Sequence, residues 1–220
     1  RHIDFDYGEE QMMAQYGAVE QDADGRPALR IGEMVYHVVV VSGLETIRPS
    51  TLRLLRDFMA IGGCVIFAGD VPAYVDGARS EAPAQAASNA VCVPFDGDCL
   101  AAAVRAAASD TISVETAAGE EAKDVFIQMR RYGDSVGFVL LNTDRDHPTG
   151  ELTVRIPCGQ AMHVELWDMA SGQRFRADRL AGFENGILSI HTSLDAAGTC
   201  AFVLTQTADQ TLPLLPAAEK

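Results

Sequence analysis

One segment constrains the fold of this chain most, and it reads VVVVSGLETIRPSTLRLLRDFMAIGGCVIFAGD over residues 38–70. Its four consecutive valines are apolar and β-branched, as in a strand buried on both faces of a parallel sheet. A helix is predicted to begin near Pro49 and Ser50, since proline suits the first helical position and serine caps free N–H groups. Gly62 and Gly63 are expected to end it, before a second buried strand over residues 64–67. The order strand, helix, strand predicts a right-handed βαβ unit.

The charge and the hydropathy pattern exclude several classes of partner. The 220 residues carry a formal net charge of −14, which argues against nucleic acid and anionic lipid, because both require positive surface. Apolar runs are all too short to span a membrane. The sequence therefore predicts neither nucleic acid nor a membrane as a partner, and its acidic surface favours solubility.

The cysteines and the first residue bear on where the protein works. Five cysteines are scattered without a C-x-x-C pair, which favours reduced, structural thiols over disulfides or a zinc site. Cytoplasmic localisation is the expectation from this usage. The chain opens at Arg1 without an initiator methionine or signal peptide, and we interpret it as a piece of a longer polypeptide.

Two kinds of sequence pattern divide the chain near residue 110. Residues 1–110 alternate strand-like and helix-like segments, including a short strand over 2–7 and a short helix over 9–16, and predict an α/β domain. Residues 111–206 hold strand-like runs separated by turn residues, with no helical pattern, and predict an antiparallel β-sandwich. Residues 207–220 are predicted to be a flexible tail.

Four residues are candidates for binding a ligand. Glu45, Asp70 and Tyr74 follow the carboxyl ends of the two parallel strands, where ligands bind in open α/β sheets. No glycine-rich phosphate cradle accompanies them, so a nucleotide site is not expected. Trp167 is either an aromatic platform for a sugar ring or a core residue of the sandwich, and we favour the core. Asp168 is expected to bond the backbone N–H groups of the turn that ends at Gly172.

Other clusters of reactive side chains are better explained without chemistry. Glycoside hydrolysis needs two flanking carboxylates, but the acids near the N-terminus are interpreted as a strand edge and a helix start. Two groups near residues 144–147 and 163–165 lack the four converging ligands of a structural metal site. Cys64 begins a strand rather than occupying a catalytic elbow. The reactive side chains in these clusters are Asp4, Asp6, Glu9, Glu10, Cys64, Asp144, Asp146, His147, His163 and Glu165. We therefore predict no catalytic residue, metal or cofactor.

Two stretches in order resemble one family of enzymes. The segments DFDYGEEQMMAQYGAVE and LRIGEMVYHVVVVSGLETIRPSTLRLLRDFMAIGGCVIFAGDVP resemble the glutamine-amidotransferase-like domain of large bacterial glycoside hydrolases, such as α-L-rhamnosidase-like enzymes and β-galactosidases. The later runs FIQMRRYGDSVGFVLLNTDRD and VELWDMASGQRF resemble the C-terminal β-sandwich of the same enzymes. The matching motifs are Leu141-Asn142-Thr143 and Trp167-Asp168-Met169-Ala170-Ser171-Gly172.

The resemblance carries implications for fold and function. It implies a partial flavodoxin- or amidotransferase-like parallel sheet with helices, lacking its first strand and so leaving an edge that needs a partner, followed by the sandwich. In those enzymes the catalytic acids belong to an upstream barrel and the amidotransferase-like domain is catalytically silent.

The leading hypothesis is a non-catalytic C-terminal accessory region of a bacterial glycoside hydrolase, which supports the upstream catalytic barrel of the same polypeptide and promotes homo-oligomerisation. The alternative is a carbohydrate-binding module that uses the β-sandwich. A third hypothesis is a small-molecule sensor that uses the loops near Glu45 and Asp70.

Overall fold

The computed structural model describes residues 2–108 and 111–216, which form two compact units. One unit, the α/β unit, covers residues 5–108, and the other, the β-rich unit, covers residues 2–4 and 111–216. Helices account for 18% of the chain and strands for 40%. These contents and the several sheets confirm the predicted combination of an α/β part with a β-rich part. None of the helices in the described ranges combines the length and hydropathy needed to cross a bilayer.

The α/β unit contains four helices and three small sheets, ordered β1-β2-β3, β4-β6-β9 and β5-β7-β8. Its elements are α1 (Glu10–Tyr16), β1 (Gly17–Gln21), β2 (Pro27–Ile31), β3 (Met34–Tyr36), β4 (Val38–Ser42), β5 (Thr46–Ile47), α2 (Pro49–Ala60), β6 (Cys64–Ala68), β7 (Tyr74–Val75), β8 (Ala78–Arg79), α3 (Ala82–Ala87), β9 (Val91–Val93) and α4 (Gly97–Ala107).

The predicted order of strand, helix and parallel strand is confirmed. Strands β4 and β6 pair in parallel, from Val38 opposite Cys64 to Ser42 opposite Ala68, and β9 continues the parallel sheet on the far side of β6. Helix α2 lies between β4 and β6 in the chain and buries Leu52, Leu55 and Phe58. Because those side chains recur every three or four residues, one helix face is apolar and packs in the core.

Details of this unit differ from the sequence prediction. Val40 in β4 is 39% exposed, whereas Val41, whose side chain points to the opposite face of the sheet, is buried, so the prediction of a strand buried on both faces is wrong. Helix α2 begins at Pro49 as predicted, but its N-cap residue is Arg48 rather than Ser50. The strand predicted over residues 2–7 is not formed, since residues 2–9 contain no strand, whereas the helix start is present, with Glu9 as the N-cap of α1.

The β-rich unit consists of two antiparallel sheets around one hydrophobic core. Their strand orders are β10-β13-β17-β16 and β11-β12-β18-β14-β15. Both sheets contribute buried side chains to the core, among them Val154 and Ile190 from the first and Phe138 and Phe202 from the second. The elements are β10 (Ser113–Thr116), β11 (Val125–Tyr132), β12 (Ser135–Asn142), β13 (Leu152–Pro157), β14 (His163–Trp167), β15 (Arg174–Arg176), a 3-10 turn (Asp178–Leu180), β16 (Ala181–Glu184), β17 (Ile187–Thr192) and β18 (Thr199–Thr205).

Residues 207–216 lie beside strand β15. The backbone N–H of Arg176 donates to the carbonyl of Pro213 at 2.8 Å, and the N–H of Leu215 donates to the carbonyl of Arg176 at 2.9 Å. Leu215 also packs against the core of the β-rich unit. These contacts hold the described part of the segment that the sequence predicts to be a flexible tail.

Candidate functional site

A cleft of about 670 Å³ opens at the carboxyl ends of the parallel strands β4, β6 and β9. The loops that follow these strands line it, as residues 43–45, 69–70 and 94–95. Carboxyl ends of parallel strands share one sheet edge, and the loops there are free to face a ligand. The cleft therefore occupies the position that the sequence predicts for a binding site.

The structure brings together two of the three residues predicted at this edge. Glu45 and Asp70 both line the cleft, and both side chains are exposed. Tyr74 does not line it; its backbone N–H donates to the carbonyl of Glu45 at 3.1 Å. Tyr74 thus shapes the Glu45 loop through its backbone, because it lies in the short strand β7 rather than in a loop.

Sequence reasoning missed the aromatic side chain in this cleft. Phe95 lies two residues after the end of strand β9, lines the cleft and is 76% exposed. Gly69 allows this arrangement, since its φ of +84° suits glycine and a Cβ there would lie 3.0 Å from the Phe95 Cβ. The signal was available: an aromatic residue after a third parallel strand belongs to the same sheet edge as Asp70.

The composition of the cleft limits the chemistry that it supports. No Lys or Arg belongs to its described lining, so it does not favour phosphate or another anion. Carboxylate oxygens accept hydrogen bonds from hydroxyl or ammonium groups, and the Phe95 ring offers an apolar face. A general acid in glycoside hydrolysis is a carboxyl kept protonated by an apolar pocket, and exposed Glu45 and Asp70 lack such a pocket. The described lining therefore offers two hydrogen-bond-accepting carboxylates and one aromatic face.

The acids near the N-terminus have structural partners, but only the predicted helix start is present, because residues 2–9 contain no strand. Glu9 caps helix α1, accepting hydrogen bonds from the backbone N–H groups of Gln11 at 3.0 Å and Met12 at 2.8 Å. These bonds, that from Gln11 above all, lower the pKa of the Glu9 carboxyl. Asp6 accepts a hydrogen bond from the Tyr36 hydroxyl at 2.8 Å.

Trp167 points away from the hydrophobic core, so the favoured prediction of core packing is wrong. Val164 and Leu166 of β14 face the core, and the alternation of side chains along a strand sends Glu165 and Trp167 to the opposite face. Trp167 is 39% exposed. Its use as a sugar platform stays a prediction.

A buried carboxylate fixes the orientation of Trp167. Glu165 is only 6% exposed, and its Oε2 accepts hydrogen bonds from Trp167 Nε1 at 3.0 Å and from Arg174 Nη2 at 3.2 Å. The Arg174 guanidinium lies 5.1 Å from the centroid of the Trp167 ring, within the range of a cation–π contact. The Glu165 carboxylate thus links side chains of the paired strands β14 and β15, which stabilises their pairing.

The predicted turn after Trp167 is confirmed. Asp168 Oδ1 accepts a hydrogen bond from the backbone N–H of Ala170 at 2.9 Å, and Oδ2 accepts one from the Ser171 hydroxyl. The backbone N–H of Gly172 donates to the Asp168 carbonyl at 2.8 Å. The Ser171 hydroxyl is the main cause of the lowered pKa of Asp168. These bonds make the motif a structural turn.

The groups weighed as metal sites are local pairs. Asp144 Oδ2 lies 3.1 Å from His147 Nδ1, and its Oδ1 accepts a hydrogen bond from the Asp146 N–H at 2.8 Å. His163 Nδ1 lies 3.4 Å from Asp178 Oδ1. Among residues 2–108 and 111–216, no three His, Cys, Asp or Glu side chains converge to hold a metal ion.

The five cysteines are all free. Burial raises the pKa of the Cys64 thiol, and it raises that of Cys200 to about 12. A thiol reacts as its thiolate, so these two cysteines are poor nucleophiles at neutral pH. Both belong to strands, and they act as small apolar residues there.

Two solved glycoside hydrolases contain regions that resemble this chain in structure. The chain resembles part of a rhamnosidase from Novosphingobium sp. PP1Y, with a TM-score of 0.64 and 16% sequence identity over 95% of this chain. It covers 20% of that chain, so it spans about one fifth of the rhamnosidase. An apo exo-carrageenase GH42 from Bacteroides ovatus also matches, with a TM-score of 0.43 and 9% identity over 80% of this chain and 23% of that one.

The likeness to the rhamnosidase shows a glycoside-hydrolase-like fold. Because the sequence identity is low, this likeness concerns the fold alone. The TM-score of the carrageenase is too low to support any argument. Neither a protein-family model nor a curated protein matches the sequence. The predicted resemblance to glycoside hydrolases is therefore confirmed for the fold, while an amidotransferase-like domain stays a prediction.

Proposed function

We propose that this chain is a non-catalytic accessory region of a protein related to glycoside hydrolases. The structural likeness supports this proposal most directly, because it covers 95% of this chain but only 20% of the rhamnosidase. A region that matches one fifth of an enzyme is expected to assist the chemistry of the remainder. Its finer organisation is proposed as an amidotransferase-like α/β domain over residues 1–110 and a β-sandwich over residues 111–206.

The carboxylates of the chain support a non-catalytic role. Glu45 and Asp70 are exposed, and Glu9 is a helix cap. Glu165 is buried, but its Oε2 is already bonded to Trp167 and Arg174. Each of these acids has a structural explanation or an open setting, whereas catalysis uses a pair of carboxyls flanking one bond.

The proposed partner is a catalytic barrel of the same polypeptide, together with a second copy of the assembly. Strand β4 pairs with β6 on one side and has no second neighbour among the described strands. An exposed edge of a β-branched strand favours pairing with another chain or segment. This edge supports a role for the α/β unit in assembly.

Light scattering tests the assembly role. We would measure the solution mass of the chain alone and after mixing it with the purified barrel domain that the same gene is proposed to encode. The proposal predicts a complex of defined stoichiometry and a higher melting temperature for the barrel. A gene without a barrel-encoding part, or a barrel that neither binds the chain nor gains stability, would contradict it.

An activity assay tests the non-catalytic role. The chain alone is expected to release no nitrophenol from 4-nitrophenyl α-L-rhamnoside or β-D-galactoside. Turnover that disappears in Glu45→Gln or Asp70→Asn but persists in Asp57→Asn would overturn the proposal. Asp57 is a matched control because it is an exposed carboxylate on helix α2 that does not line the cleft.

A further inference from the structure

A second cleft, of about 470 Å³, lies on the four-stranded sheet of the β-rich unit. Leu152, Val154, Leu188 and Ile190 of β13 and β17 face the hydrophobic core. The residues between and beyond them therefore face outward, and those that line the cleft are Thr153, Arg155, Ile187, Ser189 and His191. We call this cleft the sheet groove.

Small side chains in the middle of the sheet explain the sheet groove. Gly182 of β16 lies opposite Ser189 of β17, and Ser189 lies opposite Arg155 of β13. Nothing lies within 4 Å of the position that a Gly182 Cβ would occupy. These three residues form a row across the sheet, which His191 and Thr153 flank on one side and Ile187 flanks on the other. Each flanking row is about 7 Å away, since two strand residues span that distance.

The polar side chains in the sheet groove are held in place. Arg155 Nε donates to Glu115 Oε2 at 2.8 Å, and the Ser113 hydroxyl donates to Glu115 Oε1 at 3.0 Å. His191 Nδ1 lies 3.3 Å from Thr153 Oγ1. Such contacts reduce the side-chain entropy that a ligand must overcome on binding.

The charge of the sheet groove selects against an anionic ligand. Arg155 is the only Lys or Arg in the described lining and Glu115 neutralises it, while the exposed carboxylate of Glu184 also belongs to the lining. The chain as a whole carries a net charge of −14, which opposes phosphate, sulfate or acidic peptide. The hydroxyls of Ser189 and Thr153 and the His191 ring both donate and accept hydrogen bonds, which matches the hydroxyl groups of a neutral sugar.

An apolar side chain adds to the match. Ile187 lines the sheet groove and is 36% exposed, so it offers contact to the C–H face of a sugar ring. Binding sites for small ligands combine such apolar contact with a few fixed polar groups, in volumes of roughly 300–1,000 Å³. The volume of the sheet groove is within that range.

We propose that the sheet groove binds a neutral saccharide through Ser189, Thr153, Arg155 and His191. This site is independent of the proposed accessory role, because it lies on an outer sheet face of the β-rich unit alone. The sheet groove is a different place from the two candidate sites predicted from the sequence, which are Trp167 and the strand ends near Glu45 and Asp70.

Nuclear magnetic resonance titration of the full chain tests the site. The probes are methyl α-L-rhamnopyranoside, cellohexaose, laminarihexaose and galactotetraose, with dextran sulfate as the anionic comparison. At least one neutral probe is expected to shift the backbone amide signals of Thr153, Ser189 and His191 in a saturable manner. The proposal is overturned if none does so, or if dextran sulfate shifts them more strongly than every neutral probe.

A filled sheet groove provides the decisive variant. Gly182→Val adds a β-branched side chain where a Cβ would have no neighbour within 4 Å. Gly182 does not have a positive φ, so the fold is expected to tolerate valine there. Affinity for the bound probe should fall at least tenfold. Gly159→Val is the matched control, because a Cβ at Gly159 also meets nothing within 4 Å and that residue does not line the groove.

A second variant covers the case in which Gly182→Val is poorly folded. His191→Ala removes one exposed polar group and is expected to weaken binding at least threefold with an unchanged melting temperature. Wild-type affinity in both folded variants would overturn the proposal. Neither variant should change the mass measured by light scattering, so failure of this site and failure of the accessory role are separate results.

Discussion

Asn142 shows how one polar side chain organises a loop of the β-rich unit. It is 1% exposed, and its Nδ2 donates to the carbonyls of His147 at 2.8 Å and Asp195 at 2.9 Å. Its Oδ1 accepts a hydrogen bond from the Asp144 N–H at 3.0 Å. The asparagine of the Leu-Asn-Thr motif thus joins two loops by satisfying their backbone groups.

Removing that side chain should destabilise the protein. Asn142→Ala is expected to lower the free energy of unfolding by about 2–3 kcal/mol, because it leaves buried backbone groups without partners. Urea denaturation followed by circular dichroism measures the change. Asn89→Ala, at an exposed asparagine, should change it by less than about 0.5 kcal/mol. Equal effects of the two variants would contradict this role.

His2 makes stability depend on pH. Its Nε2 lies 2.9 Å from the Val125 carbonyl, and the Val114 N–H donates to Nδ1 at 3.4 Å, so the folded ring is neutral. Burial lowers the pKa of His2, although Glu121, whose Oε1 lies 3.6 Å from Nδ1, opposes that shift. Below the unfolded pKa of about 6.5, the unfolded chain therefore binds a proton that the folded chain does not.

The sign of the effect follows from that difference in proton binding. Stability should fall as pH drops through about 6.5 and level off below the folded pKa. His2→Asn should flatten this part of the profile, measured by urea denaturation between pH 5 and 8. His191→Asn, at an exposed histidine, should retain the wild-type slope. An unchanged slope in His2→Asn would show that other groups cause the dependence.

At the scale of elements, the end of helix α2 is set by close contact between backbone and ring. A Cβ at Gly63 would lie 2.3 Å from the Phe58 ring, and the Gly63 N–H donates to the Phe58 carbonyl at 2.9 Å. Phe58 is fully buried. The helix therefore passes into strand β6 through a position where only glycine fits.

Gly63→Ala should destabilise the α/β unit. We expect a loss of about 2–4 kcal/mol, because the methyl group must displace a buried aromatic ring. Gly97→Ala is the control: it begins helix α4 and a Cβ there meets nothing within 4 Å, so stability should stay equal or rise slightly. Thermal unfolding compares them, and similar melting temperatures would contradict the packing argument.

At the scale of the molecule, each unit has its own hydrophobic core. A core that is complete within one unit allows that unit to unfold as a cooperative step. Calorimetry is expected to resolve two transitions, with Gly63→Ala lowering one and Asn142→Ala lowering the other. A single transition that both variants shift equally would contradict independent unfolding.

Local patterns in the chain were sufficient for the elements with strong periodicity. The valine run, the apolar face of the next helix and the Gly62-Gly63 stop predicted β4, α2 and β6, because each depends on neighbours in sequence. The Asp168 turn was predictable for the same reason. Glu45 and Asp70 could be placed at one edge, since parallel strands end together.

The remaining features depend on contacts between residues distant in the chain. The exposure of Val40 and the outward position of Trp167 both follow from which face of each strand meets the core. The sheet groove exists because Gly182, Ser189 and Arg155 align across three strands. The sequence by itself determined the local helices, strands and turns and the net negative charge of the chain. Only tertiary packing decides strand order and register, and these determined which strand faces are buried, which strands are edges and where the clefts lie.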